Sequence, residues 1–151
     1  MHPALVIRVI AVILVVVSLF MLFPIAYAFH FGETDLIPSF LLPMAASLLL
    51  GLVVYIATRR AKRSLSAKDG FLLVSGSWLL SALLGAVPFV LSGSIPNITD
   101  AYFESMSGFT TTGASILTDI ESLPKSILFW RSLTHWQIGR ASCRERVCHR
   151  V

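Results

Sequence analysis

A chain of 151 residues is one ordinary domain long, yet 56% of it is apolar, only 13% is charged, and its formal net charge is +4. Soluble domains carry roughly 25% charged residues, so this composition excludes an ordinary water-soluble globule and points to a membrane protein. The positive balance is no sign of nucleic-acid binding, because Arg140, Arg144, Arg146 and Arg150 crowd the carboxyl-terminal tail against one acid, Glu145; without residues 137–151 the net charge falls to +1.

Three apolar stretches, residues 6–29, 36–58 and 71–91, each reach the ~20 residues needed to cross a hydrocarbon core ~30 Å thick. Arg8 stands near the start of the first, where its long side chain can snorkel to the headgroups. That stretch is too long for the apolar region of a cleaved signal peptide, and two more spans follow it. Its connection to the second span, HFGETD, holds Glu33 and Asp35 and no Lys or Arg. The next connection, TRRAKRSLSAKDG, gathers Arg59, Arg60, Lys62, Arg63 and Lys68 against a single Asp69. The positive-inside rule places this basic loop, and with it the amino terminus, in the cytoplasm. Within the third span Ser77, Ser81 and Gly85 recur every four residues, which puts three small side chains on one helical face, expected against the first span or the short helix described next. Pro24, Pro43 and Pro88 lie in or near span ends and carry no functional signal of their own.

After a short polar loop, LSGSIPN, the segment ITDAYFESMSGF predicts a helix over 98–109. At 1.5 Å per residue it reaches ~18 Å, about half a membrane, the length of a re-entrant segment. Thr99 or Asp100 is expected to cap its amino end, and Gly108 to let the chain leave the helix. The following residues complete GFTTTGAS, 108–115. A loop at membrane depth must find partners for its backbone groups in protein, water or an ion, since lipid offers none. Thr110, Thr111, Thr112 and Ser115 bring neutral oxygens, Gly113 permits backbone angles closed to other residues, and the segment holds no carboxylate or imidazole. Rings of such oxygens bind monovalent cations, and the carboxyl end of a short helix adds partial negative charge.

DAYFESMSGFTTTGAS, followed by DIESLPKSILFWRSLTHW, resembles the first pore region of the Trk/Ktr/HKT superfamily of potassium transporters. The two preceding spans and their basic loop are similar to the extra amino-terminal helix pair of its bacterial TrkH branch, so the resemblance covers residues 1–136. It implies an all-α membrane protein: transmembrane helices plus one re-entrant pore helix and filter loop, the first part of a four-unit helix-pore-helix channel-like fold. Residues 1–70 would be the amino-terminal helix pair with its basic loop, and 71–136 the first pore unit, truncated in its second helix. The filter would be residues 111–115. Thr111 and Thr112 would offer carbonyl oxygens to K+, with the hydroxyl of one as a further ligand; Gly113 would hold the central turn, and Ala114 and Ser115 would continue the filter outward. Glu104 is expected to serve as a structural hydrogen-bond partner. The resemblance further implies potassium uptake across the bacterial inner membrane without enzymatic activity, K+ as transported ion and no bound cofactor. The expected partners are membrane lipid, a second copy in a homodimer, and a TrkA-like cytoplasmic nucleotide-binding regulatory subunit. One filter segment cannot surround an ion, so the 151 residues by themselves are expected not to transport.

Residues 126–136, SILFWRSLTHW, begin a fourth apolar span, and QIGRASCRERVCHRV does not continue it. IGRASCRERV resembles the conceptual translation of a sequencing adapter, so residues 137–151 are expected to be a non-native tail. Both cysteines, Cys143 and Cys148, lie there, and with His149 they make a poor zinc signal because a second pair of ligands is missing. Two other functional classes compete. An intramembrane serine protease would use Ser115 as nucleophile and His135 as base, but that match leaves the three threonines unexplained. A non-conducting membrane domain would tolerate large side chains at Thr112 and Gly113. Asn97-Ile98-Thr99 matches a glycosylation acceptor, which is accidental in a bacterial host.

Overall fold

The computed structural model describes residues 3–59, 67–117 and 123–147. Most of the basic loop, including Arg60, Lys62 and Arg63, lies outside the described residues, as do Asp119, Glu121, Cys148 and His149. The described residues form helices and no strand: α1 (Pro3–Leu19), α2 (Leu22–Phe31), α3 (Ile37–Ala57), α4 (Ala67–Leu91), α5 (Ile98–Phe109) and α6 (Lys125–Val147), with a 3-10 turn, Thr34–Leu36, before α3. Three segments are long and apolar enough to cross a membrane: Ala4–Phe31, Thr34–Ala57 and Lys68–Leu91. Large apolar side chains such as Phe29, Leu49, Leu50, Val53 and Phe71 are exposed on their outer faces, the arrangement expected of helices solvated by lipid.

The first span is bent where the sequence predicts a continuous helix. Pro24 cannot donate to the carbonyl of residue 20, four positions back. The chain responds with a tightened turn in which the amides of Phe20, Met21 and Phe23 each bond three residues back, at 3.0–3.2 Å. Met21 and Ser18 are fully buried at this bend, and it separates two roles. α1 packs on α3 and α4, whereas α2 packs on α6. Pro24 therefore does carry a signal: it redirects the second half of the span toward the helix behind the loop. α2 then ends on Gly32 with φ 75°, where the Glu33 amide reaches back to the Ala28 carbonyl at 2.9 Å, a Schellman stop that requires a left-handed residue.

Helices pack here without a hydrophobic drive from water, so close backbone approach matters. A β-carbon on Gly51 would collide with Val15 across the α1–α3 contact. The face Ser77, Ser81, Gly85 turns inward as its spacing predicts: a β-carbon on Gly85 would come within 2.6 Å of Ser105 Oγ and 2.7 Å of Phe109 Cε2. The core gathers Met21, Phe40, Ala86, Phe89, Ile95, Ala101, Ile127 and Trp130, drawn from α3 to α6, from the turn between α1 and α2 and from the loop after α4. Phe40 meets Trp130 edge-on at 6.4 Å, and Tyr27 stacks on Phe129 at 4.7 Å. Trp130 is fully buried and its indole nitrogen donates to the Gly85 carbonyl at 3.0 Å, which satisfies the one polar atom such a ring brings inside. α6 runs through residue 136 to Val147; it is not among the three spans, and its last part carries Arg140, Arg144, Glu145 and Arg146.

Candidate ion-filter site

α5 spans the twelve residues the sequence predicts. Its amino end is capped by Asn97 rather than by Thr99 or Asp100: the Asn97 side chain accepts from the Thr99 amide at 3.0 Å. An Asn in extended backbone, φ −81° and ψ 120°, directly before a helix is well placed for this, and its short side chain reaches the amide two residues on. The helix is wedged between α4 and α6, with Ala101, Glu104, Ser105, Ser107, Gly108 and Phe109 buried.

Gly108 does not release the chain from the helix. It lies inside the last turn, where an added β-carbon would collide with the Thr134 side chain of α6, so its role is close approach. The exit falls to Thr111. The Thr112 amide bonds the Ser107 carbonyl and the Thr111 amide bonds the Gly108 carbonyl, both at 3.0 Å. These two bonds make a Schellman motif with Thr111 in the left-handed position, φ 55°, where glycine is the usual residue. A β-branched residue there is strained by roughly 1–3 kcal/mol. Two residues later Gly113 is left-handed as well, φ 73°, with open space where a β-carbon would stand.

These bonds fix which way the peptide groups face. In a planar trans peptide the carbonyl points opposite to the following N–H. Because the Thr112 amide is aimed back at α5, the Thr111 carbonyl is turned away from the helix. Among the described residues no donor meets the carbonyls of Thr111, Thr112 or Gly113. Thr112 and Gly113 are exposed and Thr111 is half-buried. Thr110 Oγ1 bonds the Met106 carbonyl and lies 2.8 Å from Thr112 Oγ1. The Ala114 carbonyl, by contrast, accepts from Ser107 Oγ at 2.5 Å and is turned toward α5.

Behind the loop stands Glu104, 1% exposed. Its carboxylate accepts from Ser115 Oγ at 3.1 Å and from the Ile116 amide at 3.2 Å, and pairs with Arg131 Nε of α6 at 2.5 Å. The expected hydrogen-bond role is what the geometry shows. Sequence reasoning missed Arg131 and Ser107. Arg131 had a readable signal, since a lone charge inside SILFWRSLTHW needs a buried partner, and Glu104 is the lone acid of α5 outside its first turn. Ser115 and His135 do not form a nucleophile and base: the serine hydroxyl donates to Glu104, and His135 Nδ1 is 2.8 Å from the Arg131 carbonyl. The protease reading finds no support.

At the connection between α2 and α3, Glu33 ties this part of the chain to the start of α6. Its carboxylate accepts from the amides of Lys125 and Ser126, both at 2.9 Å, and from Ser126 Oγ at 2.7 Å, which are the orphan donors of the α6 amino terminus. Partial burial pushes its pKa up, but the Ser126 and Lys125 hydrogen bonds and the Lys125 charge outweigh that and leave it lowered from 4.5.

Comparison with known proteins agrees with this geometry. The profile of the TrkH family, described as cation transport protein, matches residues 36–143. The chain is 34% identical over 140 residues to the Trk system potassium uptake protein TrkH of Halomonas elongata, covering 92% of this chain and 29% of that one. It is 36% identical over 133 residues to the TrkH of Vibrio parahaemolyticus, 87% of this chain and 27% of that one. Against the TrkH of Escherichia coli K12 it is 45% identical over 92 residues, 60% of this chain and 19% of that one. The chain thus spans under a third of the length of the curated relatives it matches. The bent first span, the wedged half-length helix and the oxygen-lined loop behind which it stops are parts of a multi-pass membrane protein, and the chain belongs to the TrkH family of cation transport proteins.

Proposed function

We propose that this chain contributes the first pore unit of a potassium uptake protein, and that residues 111–115 are one quarter of its selectivity filter. The observation that carries the reading is the outward presentation of the Thr111 carbonyl, beside Thr112 and Gly113 carbonyls that have no partner among the described residues, at the negative end of a buried half-length helix. Dehydrated K+ is bound by replacing its water with such oxygens. Thr111, Thr112 and Gly113 are the proposed ligands, with a threonine hydroxyl as an additional donor. Ser115 continues the filter, while Ala114 spaces it, its carbonyl being held by Ser107. Three further units would complete the ring, and no enzymatic step is involved. The relatives' names, which specify potassium uptake in a Trk system, support the substrate. A homodimer in the bacterial inner membrane, a cytoplasmic amino terminus and a TrkA-like nucleotide-binding partner complete the proposal; the basic loop and the family membership support them.

Gly113→Ala in the complete transporter tests the filter. The space is open, so the substitution strains only the left-handed backbone, by roughly 1–2 kcal/mol. Potassium uptake in cells lacking their own uptake systems should fall, or lose its preference over Na+, with the protein still inserted. Unchanged, selective uptake would remove Gly113 from the filter. The 151 residues alone should carry no potassium-selective flux in liposomes.

A further inference from the structure

Three features lie outside the filter oxygens themselves: an apolar groove between α1, α3 and α4, the Glu33 clamp on α6, and the Glu104–Arg131 pair. The pair is carried furthest by the geometry. Resting on the filter reading above, we propose that Arg131 is a positioning residue for ion selection, acting through Glu104 to set the direction of the Ser115 carbonyl.

The chain of contacts is short. Arg131 Nε holds Glu104 Oε1 at 2.5 Å. Glu104 Oε2 accepts from the Ile116 amide at 3.2 Å, and both carboxylate oxygens lie 3.1 Å from Ser115 Oγ. Since the Ile116 N–H points back at the carboxylate, the Ser115 carbonyl of the same planar peptide points forward, away from α5. Ser115 Oγ also accepts from the Leu117 amide at 3.1 Å, so one hydroxyl ties two successive parts of the loop to one carboxylate. The two ends of the loop are therefore held differently. The Thr111 end is set by the helix stop, and the Ser115 end by an ion pair that reaches across to α6.

An anion is needed for this task. The partners of Glu104 are all donors: a guanidinium, a hydroxyl and a backbone amide. A carboxylate accepts from all of them, whereas the amide group of glutamine would turn its own NH2 toward one donor. Burial makes the cation equally necessary, because Glu104 is shielded from water and an uncompensated charge there is severely disfavoured. Arg131 supplies that charge while remaining partly exposed itself, its side chain at 18%. Its helix cannot drift from α5, since Gly108 admits Thr134 at the next turn of α6. The fit between α5 and α6 sets the distance, and the ion pair converts that distance into a carbonyl direction.

The test compares K+ and Na+ flux in liposomes holding the complete transporter, for wild type, Arg131→Met, Arg131→Lys, Glu104→Gln and Glu104→Asp. Loss of a charge-assisted bond is worth about a factor of ten or more, so Arg131→Met and Glu104→Gln should lower the K+/Na+ flux ratio by about ten-fold. Arg131→Lys keeps the charge and should restore much of the ratio, which a purely structural role in packing would not predict. Glu104→Asp keeps the buried charge but draws the carboxylate back from Ser115, Ile116 and Arg131; it decides the matter if either neutralised variant fails to assemble. A properly assembled Glu104→Asp protein with the wild-type ratio overturns the proposal, as does an unchanged ratio in Arg131→Met. Wild-type protein without potassium flux overturns the filter reading itself, so the two failures are distinguishable.

Discussion

Gly85 is where three helices meet, and replacing it with alanine tests the packing that holds the loop. The new β-carbon would stand 2.6 Å from Ser105 Oγ and 2.7 Å from Phe109 Cε2, well inside the ~3.5–4.0 Å at which carbon contacts are favourable. Neither neighbour has room to yield, since Ser105 is fully buried and Phe109 nearly so. α4 cannot back away freely either, because the Gly85 carbonyl holds the Trp130 indole of α6. Alanine gains about 1 kcal/mol over glycine in a helix interior. Overpacking takes back about 1–3 kcal/mol, and a stretched Trp130 bond about 1 kcal/mol more. The net expectation for Gly85→Ala is a loss of about 1–3 kcal/mol, or a melting temperature lower by several degrees, read from tryptophan fluorescence of the detergent-purified protein. Gly70 of the same helix has nothing within 4 Å of an added β-carbon, so Gly70→Ala should be neutral or stabilising. Ser105 Oγ has no hydrogen-bond partner among the described residues; Ser105→Ala should therefore be harmless alone and rescue part of the Gly85→Ala loss. Gly85→Ala melting at or above wild type would refute the close approach of α4 and α5.

Two further perturbations follow from named contacts. Because the Glu33 pKa is lowered in the folded protein, its contribution to stability is complete above its unfolded value and is lost as pH falls through the folded one; melting curves should show Glu33→Gln below wild type at neutral pH and the gap closing in acid. Thr111→Gly removes the strain of a β-branched residue at φ 55° and should raise thermal stability by up to about 1 kcal/mol; a fall instead would mean that the threonine side chain stabilises the turn by more than its backbone strains it.

What the sequence disclosed, and what it hid, follows from how local each signal is. The bounds of α5 were legible because a polar loop precedes it and a run of threonines and glycine ends it. That the helix stops in a polar loop with left-handed backbone was legible from composition, since threonines and glycine interrupt the apolar run. The cap is Asn97 where the sequence points to Thr99 or Asp100, two or three positions being the ordinary uncertainty of a helix boundary read from sequence. The bend at residues 20–21 was hidden because a single proline in a membrane helix can be absorbed without a break; here the tightened turn at Phe20 and Met21 makes it one. Gly108 was assigned the right importance and the wrong reason, because only the position of Thr134 shows what the missing side chain makes room for. The Glu104–Arg131 pair joins positions 27 apart, beyond any helical period, and charge complementarity was its one trace in the sequence.

The placement of glycines on α5 and its neighbours bears on how the proposed filter of backbone carbonyls would keep its shape. A side chain between two helices can change rotamer, and the distance between the helices changes with it. On both flanks of the carboxyl half of α5 such side chains are absent: α4 presents Gly85 to Ser105 and Phe109, and α5 presents Gly108 to Thr134. The helix is thus held through backbone approach on both flanks, with a buried hydrogen bond from Trp130 and a partly buried one from Arg131 of α6 reaching α4 and α5 respectively. Selective ion binding by carbonyl groups depends on how many oxygens are offered and how freely they move. A loop suspended from a helix clamped in this way inherits little of the motion of lipid-facing side chains. The strain at Thr111 fits the same logic, because a disfavoured backbone angle persists only where the surroundings over-determine it, and here a helix stop and the glycine contacts at its end do so.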